Sequence, residues 1–196
     1  RVSYFLGQSL LMTGRYDEAE EALRRGLKGL PEPPADAKAL ALFQKLQRSM
    51  RISRLDALVR QKNWESVVKE SNTLEGIADA HSLQVSFHGA LARYELKQFK
   101  EAVYSLSDLE KKVKGTPFEQ QLHFLLAESL RELDRPKEAL TKYESAWLIS
   151  GAFSGEALYR YGIIQFKAEN FEKAAEAFGL LCENQKGKVP NDQYQR

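Results

Sequence analysis

Cysteine is almost absent from this chain, and long apolar runs are missing altogether. Cys182 is the one cysteine among 196 residues, which excludes a disulfide within the chain and leaves the redox compartment open. Because Cys182 follows Leu180 and Leu181 in an apolar helical stretch, we predict a buried thiol rather than a reactive one. No apolar run approaches the ~20 residues that span a bilayer, so we expect no membrane insertion of this segment.

A strong excess of charge of one sign is also missing. Lys and Arg together number 29, and Asp and Glu number 27, whereas a general polyanion binder is expected to be strongly basic. The hydrophobic share of 43% and the charged share of 29% are typical of a folded protein in water. The composition therefore makes nucleic acid an unfavoured partner for the chain as a whole.

Motifs of catalysis and cofactor binding are not found either. No glycine-rich stretch has the spacing of a phosphate-binding or dinucleotide-binding loop. The three histidines, His81, His88 and His123, lack the spacing of a zinc site. We therefore predict no catalytic residue, no metal and no cofactor, and we do not expect an enzyme.

What the sequence does contain is a repeat. Each copy has a turn residue, then an aromatic residue or proline, then alanine three residues later and a large apolar residue four further on. We call the aromatic residue or proline the anchor of its copy. The copies are GRYDEAEEAL (14–23), KQFKEAVYSL (97–106), DRPKEALTKY (134–143), ENFEKAAEAF (169–178) and the weaker KNWESVVKES (62–71), with anchors Tyr16, Phe99, Pro136, Phe171 and Trp64.

A second feature lies nine residues before each anchor, where four of five residues are glycine or alanine. Small side chains there allow two antiparallel helices to approach closely. The five residues are Gly7, Leu55, Ala90, Ala127 and Gly162.

This arrangement resembles the tetratricopeptide repeat (TPR), a helix–turn–helix unit of about 34 residues. The resemblance implies an all-α fold, a right-handed TPR-type superhelical solenoid of antiparallel helix pairs, and covers nearly the whole chain. We expect one array over residues 1–196, with units at about 1–31, 36–78, 80–114, 118–150 and 154–186. Residues 187–196 are a tail or the start of a further unit, and we expect the chain to be part of a longer protein.

The second unit departs from the pattern because its anchor comes late. Pro31, Pro33 and Pro34 stop the preceding helix. Neither proline nor glycine occurs between Asp36 and Gln61, and apolar residues recur there at helical spacing. We therefore predict one long helix in this stretch.

The long helix is the most basic part of the sequence. Between Asp36 and Glu65 seven Lys and Arg residues face a single acid, Asp56. This pattern indicates either a solvated helix face or a surface for an acidic protein or, less often, a phosphate backbone. The candidate basic patch comprises Lys45, Arg48, Arg51, Arg54, Arg60 and Lys62.

The TPR resemblance also implies a concave groove lined by the first helix of each unit. Residues twelve, eight and five before each anchor are expected to face it, and aromatic side chains recur at the first of these offsets. Such residues often anchor interfaces. The candidate groove residues are Tyr4, Gln8, Phe87, Leu91, Tyr94, Phe124, Glu128, Arg131, Tyr159, Ile163 and Phe166, together with Leu11, Ile52, Asp56 and Val59.

The sequence therefore predicts a scaffold that binds a protein or peptide through the groove, the basic long helix, or both. One alternative is self-assembly into a homo-oligomeric scaffold. Another is binding of nucleic acid or an acidic partner through the helix at 38–62. The stretch 157–178 is similar to TPR proteins of bacterial envelope assembly and secretion, which favours a bacterial source and leaves cytoplasm and periplasm open.

Overall fold

The computed structural model describes residues 2–76 and 79–185. Within these ranges the chain forms α-helices and no strand, which confirms the predicted all-α class. The helices are α1 (Val2–Met12), α2 (Tyr16–Lys28), α3 (Ala37–Arg60), α4 (Trp64–Leu74), α5 (Ser82–Glu95), α6 (Phe99–Leu109), α7 (Glu119–Glu132), α8 (Pro136–Leu148), α9 (Ser154–Lys167) and α10 (Phe171–Gln185).

The helices alternate between two roles. Helices α1, α3, α5, α7 and α9 each precede an anchor and are called first helices below. Helices α2, α4, α6, α8 and α10 each begin at an anchor and are called second helices. The division into five units stays a prediction, and the predicted tail at 187–196 lies outside the described residues.

The chain divides into two units by internal contacts, and each is described by itself. The N-terminal unit comprises residues 1–101 and the C-terminal unit residues 102–196. The N-terminal unit contains α1 to α5 and the first residues of α6. The C-terminal unit contains the rest of α6 and α7 to α10.

Every turn from a first to a second helix has the same backbone conformation. The residue two before the anchor has a positive φ in all five turns, and the next residue donates its amide hydrogen to the carbonyl five residues back. This is the hydrogen bond that closes a helix with a left-handed residue. The five turn residues are Gly14 (φ 74°), Lys62 (57°), Lys97 (59°), Asp134 (55°) and Glu169 (61°).

The small position nine before the anchor lies where the two helices of a pair touch. A β-carbon on Gly7 would lie 2.5 Å from Cγ of Leu23, and one on Gly162 would lie 2.8 Å from Cε1 of Phe178. Leu23 is fully buried. The second helix therefore packs its large residue directly onto the backbone of the first helix.

The long helix predicted from the sequence spans Ala37–Arg60. Its amino terminus is capped by Asp36, whose carboxylate accepts the amide hydrogen of Ala39 at 2.8 Å. Further along, Ile52, Leu55 and Leu58 join a buried cluster that also contains Val67, Leu74, Val85 and Ala92. The second half of α3 is thus a core element of the N-terminal unit.

One prediction about burial is wrong. Cys182 is exposed, although its neighbours Leu180 and Leu181 are partly buried. The apolar neighbours favoured the wrong prediction because the buried positions of α10 are Ala174 and Ala177, and the residues around Cys182 are less buried.

We expect Gly7→Ala to lower the free energy of unfolding by about 1 to 3 kcal/mol, because the buried Leu23 side chain cannot move aside. Urea denaturation followed by circular dichroism measures the change. The matched control is Gly155→Ala in α9, where nothing lies within 4 Å of the added carbon and helix propensity predicts a gain of up to about 1 kcal/mol. Equal effects of the two substitutions would contradict close packing at Gly7.

Candidate partner-binding surface

The arginines of α3 are engaged in ion pairs with other parts of the N-terminal unit. Arg51 Nη1 lies 3.0 Å from Glu70 Oε1, and Arg54 Nε lies 2.7 Å from Glu20 Oε1. Arg54 also binds the second oxygen of Glu70. Glu70 is a buried carboxylate on α4, so it needs both cations to offset the loss of water.

Arg48 is held in a similar way. Its guanidinium binds the carboxylate of Asp79 and donates to the carbonyl of Leu74 at 3.2 Å. The hydrogen bond from Arg48 holds the pKa of Asp79 at about 2, below its usual value. The arginine therefore ties α3 to the segment that follows α4.

These contacts correct the prediction of a basic patch. The sequence predicts one basic surface that includes Arg48, Arg51 and Arg54, but these three arginines neutralise Glu20, Glu70 and Asp79. Of the remaining candidates, Lys45, Arg60 and Lys62 are exposed. The basic surface of α3 is accordingly smaller than its sequence predicts.

In the N-terminal unit the predicted groove residues are mostly half-buried. Tyr4, Gln8, Leu91 and Tyr94 are partly exposed, and the Gln8 amide donates to the hydroxyl of Ser53. Leu11, Asp56 and Val59, which the sequence also predicts in the groove, are partly exposed as well. Ile52 is buried in the core cluster.

Phe87 does not line a surface. Only 1% of it is exposed, so its ring is part of the interior and cannot contact a partner. Its offset from the anchor is the same as that of Phe124 and Tyr159, which retain exposed surface. The offset alone therefore does not decide exposure.

Asp56 lies in a polar contact between α3 and α5. The amide of Gln84 donates to Asp56 Oδ1 at 2.9 Å, and His88 Nδ1 lies 3.9 Å from the same oxygen. Burial raises the pKa of Asp56. Burial, with a contribution from Arg60, lowers the pKa of His88 to about 4, so His88 is neutral at pH 7.

In the C-terminal unit, Glu128 is buried, and its carboxylate binds side chains of the interior. Tyr143 donates its hydroxyl to one carboxylate oxygen, Arg131 donates to the other at 2.9 Å, and Arg160 lies 3.4 Å away. Burial and the Glu128 carboxylate raise the pKa of Tyr143. Glu128 was predicted to face the groove, and this network is the physical reason that it does not. Arg131 keeps part of its side chain exposed.

The α9 stripe, defined as Tyr159, Ile163 and Phe166, is the most accessible part of the predicted groove. Tyr159 is 40% exposed and Phe166 is 56% exposed, with Ile163 half-buried between them. The spacing of four and three residues places all three on one side of the helix. The chain therefore presents an apolar stripe of two helical turns to solvent.

The rings of the stripe are supported by other aromatic residues. The centroid of Tyr159 lies 6.1 Å from that of Phe178, and Phe166 meets Phe171 edge-on at 5.4 Å. On α7, Phe124 stacks on Phe153 at 5.0 Å. The sequence pattern does not indicate Phe153 or Arg160, because neither lies twelve, eight or five residues before an anchor.

Within residues 2–76 and 79–185, no cluster of three His, Cys, Asp or Glu side chains is placed to hold a metal ion. Helices long and apolar enough to cross a membrane are likewise not found in this part of the chain.

Three family models, each described as a tetratricopeptide repeat, match residues 1–25, 89–155 and 156–185. Comparison with curated proteins finds no significant match. Among solved structures, MamA from Desulfovibrio magneticus RS-1 is similar at 16% identity and a TM-score of 0.73, with 96% of each chain covered. MamA MSR-1 is similar at 20% identity and a TM-score of 0.68, over 96% of this chain and 98% of that chain. These likenesses show a shared fold.

We expect His88 to make stability depend on pH. The pKa of the His88 side chain is lower in the folded chain than in the unfolded chain. The unfolded chain therefore takes up a proton first as the pH falls below about 6.5, and the free energy of unfolding decreases until the pH is near 4. The loss across this window is roughly 3 kcal/mol. Urea denaturation at several pH values should show a shallower pH dependence for His88→Gln. His81→Gln, at an exposed histidine of the same unit, is the control, and an unchanged profile in His88→Gln would contradict the assignment.

Proposed function

We propose that this chain, which belongs to the tetratricopeptide repeat family, is a protein-interaction scaffold that receives its partner on the α9 stripe. Family membership supports the general role, because repeats of this kind stack into binding surfaces rather than catalytic clefts. The proposal includes no catalytic step, metal or cofactor. It places recognition in the C-terminal unit.

The observation that carries this proposal is the exposure of Tyr159 and Phe166. Exposed apolar patches mark interaction sites more often than isolated apolar residues do. Aromatic side chains lose little conformational entropy on binding and are enriched among residues that dominate binding energy. A partner segment with apolar side chains, extended or helical, fits such a stripe.

Charged side chains beside the stripe supply a polar rim. Arg160 lies one residue after Tyr159 and is paired with Glu156 at 2.9 Å, and Arg131 of α7 is paired with Glu128 and Glu132. Both arginine side chains are partly exposed. They can donate to backbone carbonyls of a bound segment, which orients the partner more than it adds affinity.

Binding through the basic helix is the weaker alternative. Arg48, Arg51 and Arg54 already neutralise carboxylates within the N-terminal unit, so breaking those pairs would oppose binding of a phosphate backbone. The exposed Lys45, Arg60 and Lys62 are the cations left for an acidic partner.

We expect the double variant Tyr159→Ala/Phe166→Ala to lose its partner. The immobilised chain would be incubated with nuclease-treated lysate of the source organism, and bound proteins would be quantified by mass spectrometry. Removal of two aromatic anchors should reduce recovery of the specific partner at least about tenfold. Circular dichroism would establish that the variant is folded.

Two control variants separate the possible surfaces. Tyr104→Ala removes an aromatic residue that is 81% exposed on α6 and should leave recovery unchanged. Lys45→Ala/Arg60→Ala/Lys62→Ala tests the basic helix. A partner retained by the α9 variant and lost from the lysine and arginine variant would overturn the proposal and move recognition to α3.

A further inference from the structure

One buried side chain of α7 holds the connection between α8 and α9. Gln120 is only 8% exposed. Its amide nitrogen donates to the carbonyl oxygens of Ala146, at 3.2 Å, and Ile149, and to the hydroxyl of Ser154 at 2.9 Å. Its amide oxygen accepts the backbone amide hydrogen of Phe153 at 3.2 Å. Gln120 therefore joins the carboxyl end of α8 to the start of α9.

The backbone of this connection lies directly against the glutamine. A β-carbon on Gly151 would lie 2.3 Å from Oε1 of Gln120, so a larger residue does not fit there unless the glutamine moves. The carbonyl of Gly151 accepts the amide and hydroxyl hydrogens of Ser154, at 3.3 and 3.1 Å. Because Ser154 is the first residue of α9, the helix begins at a point that Gln120 holds.

Helix α3 has an arginine at the equivalent position. Gln120 and Arg48 each lie sixteen residues before the anchor of their own helix pair, and we call this the clamp position. Each side chain donates to the carbonyl ten residues after its anchor, which belongs to Ala146 and Leu74, respectively. The clamp position of α5 is Leu83, whose side chain cannot donate a hydrogen bond. The contact is therefore a feature of α3 and α7.

The first helix that follows Arg48 is α5, and it begins in the same way as α9. The amide and hydroxyl of Ser82 donate to the carbonyl of Asp79, three residues earlier, at 3.2 and 2.8 Å. Arg48 binds the carboxylate of the same Asp79. In each unit, the clamp residue thus contacts the residue that lies three before the next first helix.

The start of α9 affects the α9 stripe because a helix is stiff over one or two turns. Tyr159 lies five residues after Ser154, which is about one and a half turns along the same helix. Phe153, whose amide Gln120 binds, stacks on Phe124 of α7 at 5.0 Å. A shift at the start of α9 therefore moves Tyr159 relative to α7.

We propose that the residue at the clamp position sets where the next first helix begins, and that Gln120 thereby acts as the positioning residue of the α9 stripe. The first part concerns the chain alone, whereas the second part rests on the function proposed above. Because Gln120 is buried, it acts through α9 and does not touch the partner.

Hydrogen–deuterium exchange of the free chain tests the clamp itself. Gln120→Leu removes the four hydrogen bonds at a similar side-chain size, so amide exchange across residues 153–160 should become at least about tenfold faster. Arg48→Leu is the matched variant, and it should act across residues 79–87 and leave residues 153–160 unchanged. Val113→Ala shortens a fully buried side chain between α6 and α7 and controls for a general loss of packing.

The free-chain experiment has two results that contradict the clamp. One is unchanged exchange across residues 153–160 in Gln120→Leu. The other is an equal increase across these residues in Val113→Ala, which would show that any loss of packing in the C-terminal unit has this effect.

The positioning role is measured with the protein that the wild type captures and that Tyr159→Ala/Phe166→Ala loses. Gln120→Leu should raise its dissociation constant about tenfold, mainly through faster dissociation, at a temperature where circular dichroism shows a folded chain. Arg48→Leu and Val113→Ala should bind like the wild type, because a merely structural role of Gln120 would change stability and leave affinity alone.

Gly151→Ala approaches the same contact from the other side. It should weaken binding as Gln120→Leu does, and the double variant should bind no more weakly than either single one, because both substitutions break one contact. Additive losses would show that the two residues act separately and would contradict the clamp.

Failure of the positioning role differs from failure of the proposed function. A folded Gln120→Leu chain with wild-type affinity removes the positioning role, while loss of the partner from Tyr159→Ala/Phe166→Ala still supports recognition by the stripe. If that double variant retains every partner, recognition by the stripe and the positioning role are both wrong, and exchange in the free chain still decides whether Gln120 is a clamp.

Discussion

The α1–α2 and α9–α10 pairs each depend on one close contact between a large side chain of the second helix and a glycine of the first helix. Leu23 against Gly7 and Phe178 against Gly162 bring the second helix onto the backbone of the first. This contact sets the rotation of the second helix about its axis. The residues four, seven and ten after the anchor then face the first helix of the next pair. The examples are Glu20 with Arg54, Ser71 with Gly89, and Leu74 with Val85.

The charge of α3 shows how packing changes the meaning of a sequence pattern. A run of seven cations against one acid suggested a surface for an anionic partner. Glu20 and Glu70 come from the helices on either side of α3 and meet Arg51 and Arg54. A buried carboxylate such as Glu70 requires its cations. The arginines thereby become part of the fold, and the aromatic residues of α9 become the stronger candidate for recognition.

Much of the fold could be predicted because repetition makes local signals reinforce one another. The anchors, the small position nine before them and the absence of proline between Asp36 and Gln61 correctly placed helices. Exposure was harder to predict. Phe87 and Tyr159 share an offset, yet one is buried and the other exposed, because burial depends on neighbouring helices. The ion pairs and hydrogen bonds of Glu128 could not be predicted from the sequence, because its partners Tyr143 and Arg160 are 15 and 32 residues away. Lys62, Lys97, Asp134 and Glu169 share no residue type that would mark their positive φ.

The most direct test of recognition by the α9 stripe is hydrogen–deuterium exchange of the chain with and without the protein that it captures. Amide exchange reports which segments become protected on binding. Slower exchange across residues 154–167, with residues 37–60 unchanged, is the predicted result. Protection of residues 37–60 with no change across residues 154–167 would contradict the account and return recognition to the basic helix.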